Sequence, residues 1–154
     1  MLPPIFKKLN FKEEEKIAIL HAPDSFAAES EAMKAITVVE SGLTEGMTYH
    51  FVLAFVEQEA DLLALIPRLE GIFVKNDPLL WIAYPKKSSK KYTSDMSRDS
   101  DAWLGVGEMG FEGVRQVAID ADWSALRFRQ VAFIKQMKRK TLRAMSEEGK
   151  KRTE

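Results

Sequence analysis

The stretch Leu79-Leu80-Trp81-Ile82-Ala83-Tyr84-Pro85-Lys86-Lys87-Ser88-Ser89-Lys90-Lys91 decides the fold. It opens as an unbroken apolar run and ends in proline, lysine and serine. A short apolar run with aromatic and branched residues, stopped by turn residues, reads as a strand buried on both faces. Strands of that kind sit in sheets that helices cover on both sides. The lysines then emerge at the carboxyl end, the edge at which open α/β sheets bind their ligands.

The chain on either side supports a sheet of this type. Residues 1–16 read as an irregular lead-in, with Leu9 and Phe11 packed onto the body. Ile17–Leu20 is a first strand, and Asp24 or Ser25 is placed to cap a helix running to about Lys34. Ile36–Val39 and Tyr49–Val56 are two further strands. Leu62, Ile66, Leu69 and Phe73 recur at helical spacing, so Glu57–Phe73 reads as a helix, with a kink expected at Pro67. After the lysines, Ser97 or Asp99 opens a helix that reaches about Met109 and stops at Gly110. Val114–Ile119 and Ala125–Val131 lie too close for a crossover and must pair antiparallel. From Ala132 the chain turns helical and basic. The expectation is an α/β fold, three-layer and Rossmann-like. Its mostly parallel sheet is closed by a C-terminal antiparallel hairpin, and a basic C-terminal helix follows. Residues 1–134 form one domain in this reading, and 135–154 a basic helical tail.

Bulk composition narrows the function classes. A chain of 154 residues is the size of one domain and can bury a sizeable core without staples. The absence of cysteine excludes disulfides and thiolate metal sites and favours a reducing compartment. Residues 1–20 contain no apolar core of a signal peptide, so a cytoplasmic protein with no membrane span is expected. The net charge of zero is uneven. Residues 135–154 hold eight Lys or Arg against three Glu, on an otherwise acidic body. Such a tail is a solvated helix end in its plainest reading. Its stripe of Ile134, Met137 and Met145 would instead dock on a second copy or a protein partner. Nucleic-acid contact through the tail is the least favoured of the three.

Two resemblances follow from these residues. The ending, a strand, a helix stopping at Gly110-Phe111, then two antiparallel strands, resembles the close of the S-adenosylmethionine-dependent methyltransferase fold. More particularly, the chain resembles a bacterial family of short Rossmann-like domains of unknown function. The resemblance is carried by Ala22-Pro23, Phe51–Val56, Trp81-Ile82-Ala83-Tyr84-Pro85-Lys86-Lys87 and Trp123-Ser124-Ala125-Leu126. It spans about residues 10–130. His21 stands where that family carries glycine, and Ala125 where it often does. The resemblance implies a fold and no activity.

The candidate chemistry is sparse. A dinucleotide or methyl donor in its usual pose needs glycines after the first strand. This chain offers His21-Ala22-Pro23-Asp24, and its first glycine is Gly42. Glu40, ending the second strand, is placed to hold a ribose, but no cofactor is expected without the glycine turn. His21 and His50 lack metal-ligand spacing, so no metal is expected. No Gly-x-Ser-x-Gly elbow surrounds Ser25, Ser88 or Ser124, so no catalytic residue is assigned. Trp81, Tyr84, Trp103 and Trp123 read as core, with Trp123 the most exposed of the four. The remaining candidate is the strand-end edge. His21, Asp24 and Ser25 would share it with Lys86, Lys87 and Ser88 and hold a small anion through point charges. The plainer reading is a solvated basic loop beside a packed strand end. The leading expectation is a non-enzymatic or cryptic binding module. The alternatives are a small-anion or nucleotide-binding protein or enzyme at that edge, and a nucleic-acid accessory protein acting through the tail.

Overall fold

The computed structural model describes residues 2–134. The expected basic helix over 135–154 lies outside the described residues. Six strands form one sheet: β1 (Lys16–Leu20), β2 (Val38–Glu40), β3 (Phe51–Phe55), β4 (Leu79–Pro85), β5 (Phe111–Ala118) and β6 (Trp123–Gln130), in spatial order β2-β1-β3-β4-β6-β5. The first four are parallel, and β6 runs antiparallel to both β4 and β5. The helices are α1 (Pro4–Lys8), α2 (Ala27–Lys34), α3 (Glu59–Leu69) and α4 (Leu104–Glu108).

The period of two along each strand divides the core into two layers. Ala18, Leu20, Val52, Ala54, Leu80, Ile82 and Tyr84 face α3 and α4. Ile17, Ile19, Phe51, Leu53, Phe55, Leu79, Trp81 and Ala83 face the α1 and α2 side. Every residue of β4 is buried. The α/β, three-layer architecture and the closing antiparallel hairpin are as the sequence implied. No helix among the described residues is long and apolar enough to cross a membrane.

Several local expectations give way. The lead-in is not irregular: Pro4–Lys8 is helical, and Pro4 stands in the first turn, where its missing N–H costs nothing. Phe6 and Leu9 are fully buried, and the Phe6 ring packs on Phe26 and Phe51. A five-residue helix is too short to show a period. The Leu9 carbonyl accepts the Trp81 indole N–H at 2.9 Å, which ties this helix to the centre of the sheet. Pro67 causes no break, because it lies in the last turn of α3, on whose outer side Leu63 is exposed. The helix ends at Leu69, short of Phe73, because Glu70 turns extended and Gly71 takes φ +77°. Phe73 instead bridges to Tyr49.

Neither Asp24 nor Ser25 caps α2. Both lie in a 3-10 turn, Asp24–Phe26, and no side-chain cap is made. Ser97 and Asp99 likewise precede a 3-10 turn, Asp101–Trp103, that leads into α4. The second strand is shifted to Val38–Glu40, and β5 begins earlier than expected, at Phe111. Trp123, expected to be the most exposed aromatic, is 3% exposed. It is the first residue of β6, where the pleat turns it inward against Phe55.

Gly105 shows a packing constraint that overrides propensity. A Cβ on Gly105 would lie 2.6 Å from Cδ1 of Ile66, where α4 meets α3. Gly105→Ala should therefore miss the roughly 1 kcal/mol that alanine usually adds to a helix. In an Ile66→Val background, which removes that methyl, most of the gain should appear. Urea unfolding of the two pairs checks this, and an equal gain in both backgrounds would contradict it.

Candidate functional site

The chain leaves β1 through α2 to reach β2, on one side of β1. It then returns to β3 on the other side and continues through α3 to β4. Because α2 and α3 cover opposite faces, the carboxyl ends of β1 and β3 part, and a crevice opens between them. That is the switch point at which open α/β sheets take ligands. A cavity of about 550 Å³ lies there. Its walls are His21 and Pro23 after β1, Phe55 to Glu57 at the end of β3, Asp61, Ala64, Leu65 and Arg68 of α3, and the rings of Tyr92 and Trp123.

His21 has φ +56°, in the left-handed region that glycine enters freely. The turn after β1 takes a backbone conformation that glycine would adopt without a Cβ penalty, and here histidine adopts it. The cost to a side chain with a Cβ is about 1–2 kcal/mol. Strain of this kind collects at sites where a side chain is wanted for more than folding.

The loop after the lysines closes over the start of α3. Gln58 donates to the Thr93 carbonyl at 2.7 Å, and its Oε1 accepts the Asp95 N–H at 2.9 Å. Asp95 accepts the Glu59 N–H at 2.6 Å, and Ser94 donates to the Glu57 carbonyl. Asp61 Oδ2 accepts the N–H of Gln58 at 2.9 Å and that of Glu57 at 3.2 Å. Two carboxylates thus already occupy the positive end of α3. The side chains of Arg68 and Glu57, both exposed, have no such partner among the described residues. Tyr92 stacks edge-on against Trp123 at 5.0 Å, and Phe55 does so from the other side at 5.2 Å. The Trp123 indole N–H is buried with no acceptor among the described residues.

The expected edge residues divide. β1 and β4 are parallel with β3 between them, so their ends share an edge about 10 Å apart. His21 lines the switch-point cavity. Asp24 lines a neighbouring recess of about 460 Å³, with Ser30, Lys34 and Ser41. Ser25 lies in the 3-10 turn. Lys86, Lys87 and Ser88 follow β4 in a turn tied to the hairpin: Lys86 N–H donates to the Asp122 carbonyl at 2.8 Å, and Ser89 Oγ donates to Asp122 Oδ1 at 2.7 Å. Neither Lys86 nor Lys87 is in an ion pair among the described residues.

Glu40 is already engaged. Tyr49 donates to its carboxylate at 2.6 Å and Thr44 at 3.0 Å, and Lys16 lies 3.7 Å away. The Tyr49 hydroxyl, with some help from Thr44 and Lys16, holds the Glu40 carboxyl below the usual carboxylate range, against a smaller opposing effect of burial. A ribose there would have to displace these partners. Among the described residues no group of three His, Asp or Glu is placed to hold a metal ion.

Glu57, Arg68 and Tyr92 did not stand out in the sequence. One signal was present: Asp61, Ala64, Leu65 and Arg68 stand at i, i+3, i+4 and i+7, one face of α3.

No family model and no curated protein matches the sequence. Several solved structures are similar in chain path, among them three that follow. The ribosomal protein L11 methylase of Lactobacillus delbrueckii subsp. bulgaricus is 14% identical, with 75% of this chain and 69% of that one covered and a TM-score of 0.44. A SAM-dependent methyltransferase of Aquifex aeolicus is 13% identical, with 82% and 88% covered and a TM-score of 0.47. The fibrillarin pre-rRNA processing protein of Methanococcus jannaschii is 14% identical, with 76% and 66% covered and a TM-score of 0.48. At these values nothing about ligand or reaction is carried over. The sheet order and the closing antiparallel hairpin make this a Rossmann-like α/β fold.

Two expected outcomes follow. His21→Gly should raise stability by about 1 kcal/mol, since glycine takes the left-handed turn without the Cβ penalty. A lowered urea midpoint would show that the turn is not strained. Glu40 has a depressed pKa, so its contribution is present above the ordinary value of 4.5 and is lost as pH falls through the lower folded value. The stability gap between the parent and Tyr49→Phe should therefore narrow from pH 6 to pH 3, and a gap independent of pH would contradict the assignment.

Proposed function

We propose that the chain is a binding module rather than a catalyst. It takes a small ring-bearing molecule with an anionic group into the crevice between the ends of β1 and β3. The observation that carries this reading is the cavity at the switch point, whose lining includes the half-buried Tyr92 and the exposed Arg68, which is in no ion pair among the described residues. Tyr92, half-buried and held by the buried Trp123 behind it, offers an aromatic surface, which favours a ring. Arg68 offers a planar fork for a carboxylate or phosphoryl group. Glu57 accepts from a donor on the same ligand. No hydroxyl other than that of Tyr92 lines the cavity. Lys86 and Lys87, across the end of β3, add long-range attraction for an anion. The bound form of a methyl donor with its ribose on Glu40 is disfavoured by the Tyr49 and Thr44 contacts. Membership of the bacterial family of short Rossmann-like domains belongs to the same proposal and rests on the Trp81–Lys87 and Trp123–Leu126 motifs.

A thermal-shift screen of nucleosides, nucleotides, S-adenosylmethionine, phosphosugars and small carboxylates tests it. A ligand at a hundred times its dissociation constant should stabilise the fold by about 2.7 kcal/mol. Arg68→Ala should weaken the hit about tenfold or more, the loss of one charged hydrogen bond. A blank screen, or a hit indifferent to Arg68→Ala, would refute the proposal.

A further inference from the structure

A second cluster lies on the α1 side of the sheet, at the end opposite the crevice. β5 carries an irregularity in register between Gly113 and Arg115, so that Val114 is extra. Before it, Phe111 faces the α3 and α4 layer; after it, Val117 faces the other layer. The bulge therefore reverses which face the odd-numbered residues take. It turns Arg115 to stand directly opposite Arg127 of β6. Arg129 follows two residues on, on the same face. Like charges set directly across a strand pair are destabilising.

Two carboxylates lie nearby, and both are on the Arg129 side. Asp77 grips Arg129 through Oδ1 at 3.0 Å and Oδ2 at 2.7 Å. Glu112 stands opposite Arg129 in register and is buried. Arg115 and Arg127 are in no ion pair among the described residues. The Arg127 Nε is buried with no acceptor among the described residues. Burial, together with the charges of Arg129 and Arg115, pulls the Arg127 guanidinium below its usual range, partly offset by Asp77. A half-buried cation with an unmet donor beside a like charge is an arrangement that an anion would relieve. Cross-strand neighbours lie about 5 Å apart at Cβ, a spacing at which two guanidiniums reach the oxygens of one group.

We propose that the Arg115–Arg127 pair, with Arg129 beside it, is a site for one dianionic phosphoryl group of a small molecule. Two adjacent guanidiniums in no ion pair among the described residues match a single dianion, while Asp77 is already held by Arg129. A polynucleotide would call for a train of cations along its length. The site is separate from the crevice and does not depend on the function proposed for it.

The test uses the full chain with inorganic phosphate as probe, against sodium chloride at matched ionic strength. The readouts are the melting temperature and the arginine Nε–H signals in NMR. Phosphate should raise the melting temperature in a saturable way and shift the Arg127 Nε–H. Arg115→Gln and Arg127→Gln should each weaken apparent affinity about tenfold or more. Arg115 is exposed, so its variant keeps the test decisive if Arg127→Gln fails to fold. An effect no larger than that of chloride, or one unchanged in Arg115→Gln, would overturn the proposal. So would polyuridylate binding here that phosphate does not compete away.

Discussion

β4 is the constraint on which the rest depends. It is buried along its whole length, and it is the strand where the sheet changes from parallel to antiparallel pairing. A strand with no wet face must be apolar on both sides, and each side then dictates a layer. Leu80, Ile82 and Tyr84 require α3 and α4; Leu79, Trp81 and Ala83 require the layer that α1 and α2 build. Full burial of a large apolar side chain is worth about 1.5–3 kcal/mol, so these positions dominate the core. The Trp81 indole N–H, deep in that layer, has to find an acceptor, and the carbonyl that ends α1 supplies it.

The crevice is a consequence of this order. With β4 and β6 locked together on one side and β1 and β2 on the other, β1 and β3 are the neighbours whose following helices go to opposite faces. Two features set that place apart from a glycine-rich dinucleotide turn. The turn after β1 keeps the backbone shape of a glycine turn but carries histidine. The acidic residue at the end of β2 is spent on Tyr49 and Thr44. The crevice itself is lined instead by residues of α3, among them Asp61 and Arg68, and by Tyr92 and Trp123.

Much of the fold was legible in the sequence, for a local reason. Runs such as Phe51–Val56 and Leu79–Tyr84 declare burial on both faces, and the short Asp120–Trp123 link forces a hairpin. There the Asp120 carboxylate accepts the N–H of Asp122 and of Trp123, both at 2.8 Å. The helix α1 escaped because it spans too few residues for a period to show, whereas the helix stopping at Gly110 was legible and only starts later, at Leu104. Trp123 was misjudged because a turn position looks exposed until the pleat of β6 is known. Of the edge residues, His21 reaches the cavity; Arg68 and Tyr92 come from segments that no motif marks.

The sequence by itself determined the class of fold, the parallel-to-antiparallel close and the absence of a glycine-rich cofactor turn. These follow from periodicity, spacing and composition, which act over neighbouring residues. Only the tertiary structure decided which charges are free. Among the described residues Glu40 is engaged and Arg68 is in no ion pair, and the extra residue in β5 brings Arg115 across from Arg127. Those outcomes depend on register and on contacts between residues far apart in the chain, and a one-residue shift in register turns every side chain to the other face.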